Sequence, residues 1–267
     1  MNRTIKLSVL TCILTSLILT GCKDNSETGG ENVIIDNTIT AKVENGNEYN
    51  GYISEVWGRI EYDNINFEYI ATTHYSNGGF TIELPSAVED SLLMKIENGF
   101  GNEFKRIRNF SISDKSALIG FVFFFGVDDD GNLLDDFYHV IRYENETSTS
   151  FTGKWGRAIY VYVNKDVTIT ASDSWDEDGD REEMLINLPF KKGWNAAFLL
   201  EEYSANYIKD TDIIKTSLTT RNPGGLKWYF GYTWDEYYQS IYPKSEEGIS
   251  FEKFKNSSTF FSKLFWK

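Results

Sequence analysis

The chain has 267 residues, two of them cysteine and two histidine, and carries a formal net charge of −14. With a pI of about 4.7, it lacks the basic patch that a nucleic-acid binder needs. Two Cys exclude a disulfide scaffold or a cysteine-rich zinc module, and 41% hydrophobic against 25% charged residues excludes wholesale disorder. At ordinary domain sizes this length predicts two domains.

Arg3 and Lys6 precede an uncharged apolar stretch from Leu7 to Leu19. At about 13 residues it is shorter than the roughly 20 that cross a bilayer as a helix, so it reads as a secretory signal. It ends in Leu19-Thr20-Gly21-Cys22, which resembles the lipobox of bacterial lipoproteins. That resemblance implies cleavage before Cys22, a diacylglycerol on its sulfur and a further acyl chain on its amine. The alternative is a plain signal peptide with a chance cysteine. One acyl chain of myristoyl length holds a protein marginally, at about 0.8 kcal/mol per buried methylene, whereas two or three hold it lastingly. The expected partner is therefore a lipid bilayer, reached through acylated Cys22.

Residues 1–21 read as the signal peptide and 22–37 as the lipidated cysteine and a flexible acidic tether. The run from Lys23 to Asn32 is polar and acidic, has no apolar residue and contains Gly29-Gly30. A lysine followed by acidic residues after the cysteine resembles the export signal of Bacteroidetes surface lipoproteins. By that resemblance the protein belongs to the cell outer membrane, with the external face favoured over the periplasmic one.

From Ile39 onward the hydrophobic pattern has period two. Ile39, Ala41 and Val43 alternate with polar residues and meet a turn at Asn45-Gly46. Phe80, Ile82 and Leu84 alternate with Thr81 and Glu83, entered through Asn77-Gly78-Gly79 and closed by Pro85. Arg157 to Val163, a break at Asn164-Lys165, and Asp166 to Ala171 predict a tight hairpin. Asn98-Gly99, Asp130-Gly131, Asp178-Gly179 and Gly224-Gly225 are further turn signals. Short strands with this punctuation and 16% aromatic residues predict an all-β fold of two β-sandwich domains.

One segment breaks the alternation. Ile119-Gly120-Phe121-Val122-Phe123-Phe124-Phe125 is apolar throughout, which predicts a strand covered on both faces, central or at a domain junction. The polar stretch Ser111 to Ser116 before it supplies the boundary, giving sandwiches over 38–114 and 115–232. The segment Ile39 to Leu84, with Asn77-Gly78-Gly79-Phe80-Thr81-Ile82-Glu83-Leu84-Pro85, resembles the prealbumin-like (transthyretin-like) modules related to the carboxypeptidase regulatory domain. The second half, through Tyr160 to Thr170, Lys192-Gly193-Trp194-Asn195 and Leu226 to Phe230, is similar to a largely uncharacterised family of Bacteroidetes lipoproteins. Both resemblances imply architecture and location, and neither implies a catalytic residue.

Residues 233–267 form an aromatic-rich C-terminal tail. Phe251, Phe254, Ser258, Phe261 and Phe265 fall at helical spacing with lysines between them. This predicts a helix capping the second sandwich, with a membrane-lying helix or an extended strand as alternatives.

Candidates for chemistry are few. Asp128, Asp130 and their neighbours, and Asp176, Asp178 and Asp180, gather enough oxygens for Ca²⁺. Neither stretch fits the EF-hand template, because Gly falls at the fourth loop position rather than the sixth, and acidic hairpin turns are the competing reading. No Gly-x-Ser-x-Gly elbow, His-Glu-x-x-His or phosphate-binding loop occurs, so neither catalytic residues nor a cofactor are expected. His74 and His139 read as surface or structural histidines. Aromatic density from Trp228 to Tyr242 suggests recognition, since Trp and Tyr suit stacking on sugars or anchoring a protein. Trp228 and Phe230 are expected in the core, and Trp234, Tyr237 and Tyr238 are the candidate ligand-binding residues. The sequence thus predicts a non-enzymatic binding or surface-display module for glycan or protein. The alternatives are an assembly component that accepts a strand at a sheet edge and a polysaccharide-active hydrolase.

Overall fold

The computed structural model describes residues 35–62, 66–100, 107–177 and 180–231. The chain is all-β, with strands β1 (Thr38–Lys42), β2 (Glu55–Glu61), β3 (Phe67–His74), β4 (Gly79–Glu83), β5 (Met94–Lys95), β6 (Ser111–Ile112) and β7 (Leu118–Val127) in its first half. The second half adds β8 (Leu133–Glu146), β9 (Ser150–Val163), β10 (Val167–Glu177), β11 (Asp180–Phe190), β12 (Gly193–Asn206), β13 (Thr211–Thr219) and β14 (Lys227–Phe230). A single helical turn, α1 (Ile96–Gly99), follows β5, so the Asn98-Gly99 signal closes a helix rather than a hairpin.

β1 and β4 pair as a two-stranded sheet. The other strands join one large curled sheet whose order runs β3-β2-β7-β8-β9-β12-β13-β11-β10-β6, with β14 added to β8 and β5 to β7. The boundary expected after residue 114 is crossed by hydrogen-bonded ladders. β2 pairs with β7 over seven positions from Glu55↔Val127 to Glu61↔Phe121. The core is shared as well: Ile39, Phe80 and Ile82 from the first half pack in one cluster with Phe137, Tyr160, Trp194 and Trp228 from the second. The large sheet carries two cores on its opposite faces.

The apolar run in β7 explains this arrangement. Val122 and Phe124 point into the first core, whereas Ile119 and Phe121 point into the second, with Val161, Ile169, Ile186 and Leu199. A strand buried on both faces cannot alternate, and β7 lies between the two cores as its sequence predicts. Gly120 lets β2 pack close: a Cβ there would meet Ile60 and Leu93 at 2.5–2.9 Å.

The expected hairpin across Asn164-Lys165 is not formed, although both of its strands exist. The end of β9 is already paired on both edges, with β7 at Ile119↔Val163 and with β12 at Gly193↔Val163. No edge is left for β10, which crosses the second core and pairs with β11 and β6 instead. The turn is tied down locally, because the Leu118 amide donates to Asn164 Oδ1 at 2.9 Å and Lys165 Nζ donates to Ser116 Oγ at 2.9 Å.

Other turn signals are realised as their chemistry requires. Asn77 and Gly78 both have positive φ, 54° and 74°, as a type I′ turn needs. Gly79, just beyond, is extended, and a Cβ there would press on the backbone carbonyl of Ala41 in β1. Gly79→Ala is therefore expected to destabilise the protein by about 1–3 kcal/mol, read as a lower urea midpoint at unchanged slope. An unchanged midpoint would mean that β1 docks more loosely than the register in β1–β4 implies.

Candidate functional site

Several sequence candidates lie outside the described residues: Cys22, Asp178, Trp234, Tyr237 and Tyr238, together with the tail after Gly231. The remaining acidic candidates are placed, and the Asp128 carboxylate serves its own turn. Asp128 Oδ1 accepts from the amides of Asp130 (3.0 Å) and Asn132 (2.8 Å), and Oδ2 accepts from Asn132 Nδ2 (2.9 Å). Those bonds, the Asn132 side chain first, hold the Asp128 carboxyl below the usual range. Asp176 stands opposite Arg181 in the β10–β11 ladder, and Asp180 Oδ1 accepts from the Asp212 amide at 3.1 Å. Among the described residues no group of three or more His, Cys, Asp or Glu is placed to hold a metal ion. The Asp128 carboxylate and the Asp130 amide thus build the β7–β8 turn.

His74 is exposed at the end of β3. His139 is packed: its Nδ1 lies 2.9 Å from Tyr160 Oη, and Trp228 stacks on its ring at 4.6 Å. Burial pushes the imidazole pKa down to about 4, so at neutral pH it is an uncharged member of the core. Trp228 and Phe230 also lie in the first core, as their alternation predicts.

The surface that stands out is one the sequence reading did not single out. Along β2, Val56, Gly58 and Ile60 face the first core, and Trp57, Arg59 and Glu61 face the other way. A register shift between Gly58 and Arg59 inserts an extra residue in β3. It places Tyr69 opposite Arg59, with Phe67 opposite Glu61. Bulges of this kind re-aim side chains. Trp57 and Tyr69 meet edge to face at 4.9 Å, and Phe67 and Tyr69 at 5.6 Å. The Arg59 guanidinium sits 4.7 Å from the Phe67 ring centre and 4.0 Å from that of Phe125, and it donates to Glu61 at 2.6 Å. Trp57 Nε1 donates to Glu55 Oε2 at 2.7 Å, which fixes the indole. Phe67 is 44% exposed, and Trp57 and Tyr69 are half-buried. The result is a rigid row of rings, with carboxylates at its edge.

This face runs into a cleft. β7 pairs with β9 up to Val122↔Tyr160 and with β8 from Phe124↔Phe137 onward. β8 and β9 pair with each other only from Val140↔Arg157 outward. Three strands therefore part around a triangular gap bordered by Phe123, Tyr138, His139, Ala158 and Ile159. A cleft with about 40 Å³ of room opens there, lined by Phe123, Asp136, Tyr138, Arg157, Ala158 and Trp228 among others. By the alternation of the strands, Phe123, Asp136 and Tyr138 belong to the face that carries Trp57. Register joins the two features, since Arg59 stands opposite Phe123 and Phe125 opposite Asp136.

Burial, above all, raises the Asp136 carboxyl pKa to about 6, with the nearby Asp135 charge adding to the rise. The Tyr138 hydroxyl donates to Asp136 Oδ2 at 3.1 Å and the Arg59 charge is near; both work the other way. The group is thus a hydrogen-bond acceptor at neutral pH that takes up a proton under mild acid. The arrangement offers ring stacking beside a small polar recess.

The chain matches no family model, no curated protein and no solved structure. Among the described residues, no helix is long and apolar enough to cross a membrane. A signal for the aromatic face was nonetheless present in Trp57-Gly58-Arg59-Ile60-Glu61, because a tryptophan sharing the polar side of an alternating strand with charges is positioned for contact rather than for the core.

Proposed function

We propose that this protein is an acylated outer-membrane lipoprotein acting without catalysis, and that its β2–β3 face binds glycan. The observation that carries the binding reading is the row Trp57, Tyr69 and Phe67, held by Arg59, Glu55 and Glu61. Rings already fixed by packing and hydrogen bonds lose little entropy on stacking against a sugar, and the bordering carboxylates can accept from its hydroxyls. The attachment reading rests on Leu19-Thr20-Gly21-Cys22 and its resemblance to a lipobox. The similarity of the acidic stretch to a Bacteroidetes surface signal supports the external face.

Attachment and binding are tested separately. Cells fed a labelled fatty acid should incorporate it into the protein, and Cys22→Ser should abolish the label and release the protein from the membrane pellet. Label-free protein in the wild type would overturn the anchor. In affinity gels, detergent-extracted full-length protein should be retarded by polysaccharide, and Trp57→Ala should migrate freely at unchanged circular dichroism. Equal retardation of the two would move the site elsewhere.

A further inference from the structure

We propose that Trp228, Tyr160 and His139 form a one-electron donor site for small radical oxidants. The electron comes from Tyr160, and its phenol proton passes to His139. This chemistry belongs to the first core and is independent of the glycan reading of the β2–β3 face.

The proton comes first. A phenol that gives up an electron becomes a strong acid, and inside a core it needs a base within hydrogen-bond reach. His139 Nδ1 lies 2.9 Å from Tyr160 Oη. Burial holds the imidazole pKa down at about 4, so the ring is neutral at pH 7 and free to accept. A hydrogen bond with the Leu226 main chain favours its charged form, which helps it keep the proton beside the radical. Burial raises the Tyr160 pKa above the ordinary 10, so the proton does not leave while the electron stays.

The electron follows the rings. Trp228 lies 4.6 Å from His139 and 5.9 Å from Tyr160, and the three planes are parallel to within 4°. An electron lost from the indole is therefore replaced from Tyr160, and transfer of the proton to His139 drives that step. Tyr160 is 9% exposed and Trp228 5%, which shields the radical from encounters that would couple it to another molecule. All three side chains line the cleft where β7, β8 and β9 part. Val122, Phe124, Phe137 and Ala158 line it beside them, and Asp136 and Arg157 from the other face of the sheet. A small neutral radical such as nitrogen dioxide can enter past the apolar walls without the desolvation cost that an ion meets.

The step balances. Nitrogen dioxide takes the electron and leaves as nitrite, the Tyr160 O–H bond breaks, an N–H bond forms at His139 Nδ1, and a tyrosyl radical remains. A reductant such as ascorbate returns the electron, and the proton goes back to the phenol oxygen.

The test exposes detergent-extracted full-length protein to nitrogen dioxide made by pulse radiolysis and follows tyrosyl radicals by freeze-quench electron paramagnetic resonance. Wild type should show a tyrosyl signal that outlasts those of surface tyrosines, forms more slowly in deuterium oxide and is quenched by ascorbate. Tyr160→Phe, a near-isosteric change, should lose the long-lived signal at unchanged circular dichroism. His139→Gln, which accepts the hydrogen bond but cannot hold the proton, should form it more slowly. No long-lived signal in the wild type, or the same signal in Tyr160→Phe, would overturn the site. An equal rate in His139→Gln would overturn the role of the imidazole as base.

Discussion

At pH 9 the variant Glu201→Gln is expected to be more stable than the wild type by a few kcal/mol, and at pH 4 the two should be nearly equal. Glu201 lies on β12 and is 7% exposed. Burial pushes its pKa up to about 8 from an ordinary 4.5; the Arg157 charge pulls it down and the Glu182 charge adds to the rise. The sign follows from linkage. As pH climbs from about 4.5 to 8, the unfolded chain gives up the Glu201 proton while the folded chain keeps it, so the folded state loses stability across that window. Above pH 8 the full cost of a buried carboxylate is present. Glutamine keeps the shape and has no proton to lose. Urea midpoints of both proteins at pH 4, 6.5 and 9 read this directly. A wild-type profile with no decline, and a variant weaker at pH 9, would mean that the Arg157–Glu201 pair is a net stabiliser instead.

Trp228→Ala should cost about 3–5 kcal/mol, the usual range for emptying a core tryptophan site. The indole is 5% exposed. It stacks on His139 at 4.6 Å and Tyr160 at 5.9 Å, and meets Phe80 of β4 at 5.5 Å and Phe124 of β7 at 5.9 Å edge to face. Its carbonyl accepts from the Glu44 amide at 2.8 Å, so β14 is joined through it to the start of the chain. Because the side chain touches both halves, its loss should lower one common unfolding transition, seen alike by far-UV circular dichroism and by tryptophan fluorescence. Two separate transitions, with only one displaced, would restore two independent domains.

How much of this was legible in the sequence differs by level. Strand positions were, because period-two patterning reports which side chains must leave water: Ile39, Ala41, Phe80 and Ile82 are all buried as their alternation predicts. The double-sided run in β7 was legible for the same reason. Pairing was not. Asn164-Lys165 has the length of a hairpin turn, yet which strands pair depends on which edges distant strands have already taken, and β7 and β12 had taken those of β9. The ladder between β2 and β7 was hidden on the same ground, since nothing local in Glu55–Glu61 says that its partner lies in Phe121–Val127. For the site, aromatic density drew attention to Trp228 and beyond; Trp57 was signalled by its place among charges on the polar side of β2, whereas the alignment of Tyr69 and Phe67 beside it depends on a register shift after Gly58 that no short pattern announces. Acidic loops were read as candidate cation sites because composition gathers carboxylates but does not show what they accept from; Asp128 accepts from its own turn.

The β2–β3 face is proposed to bind sugar while the protein is held on its membrane. Oxidative footprinting of the anchored protein on outer-membrane vesicles, with and without added glucan, tests this most directly. Trp57, Phe67 and Tyr69 should become protected, while Trp175, 40% exposed on β10 away from that face, should label as before. Protection of Trp175 with none at Trp57, or no protection at any of the four, would contradict it.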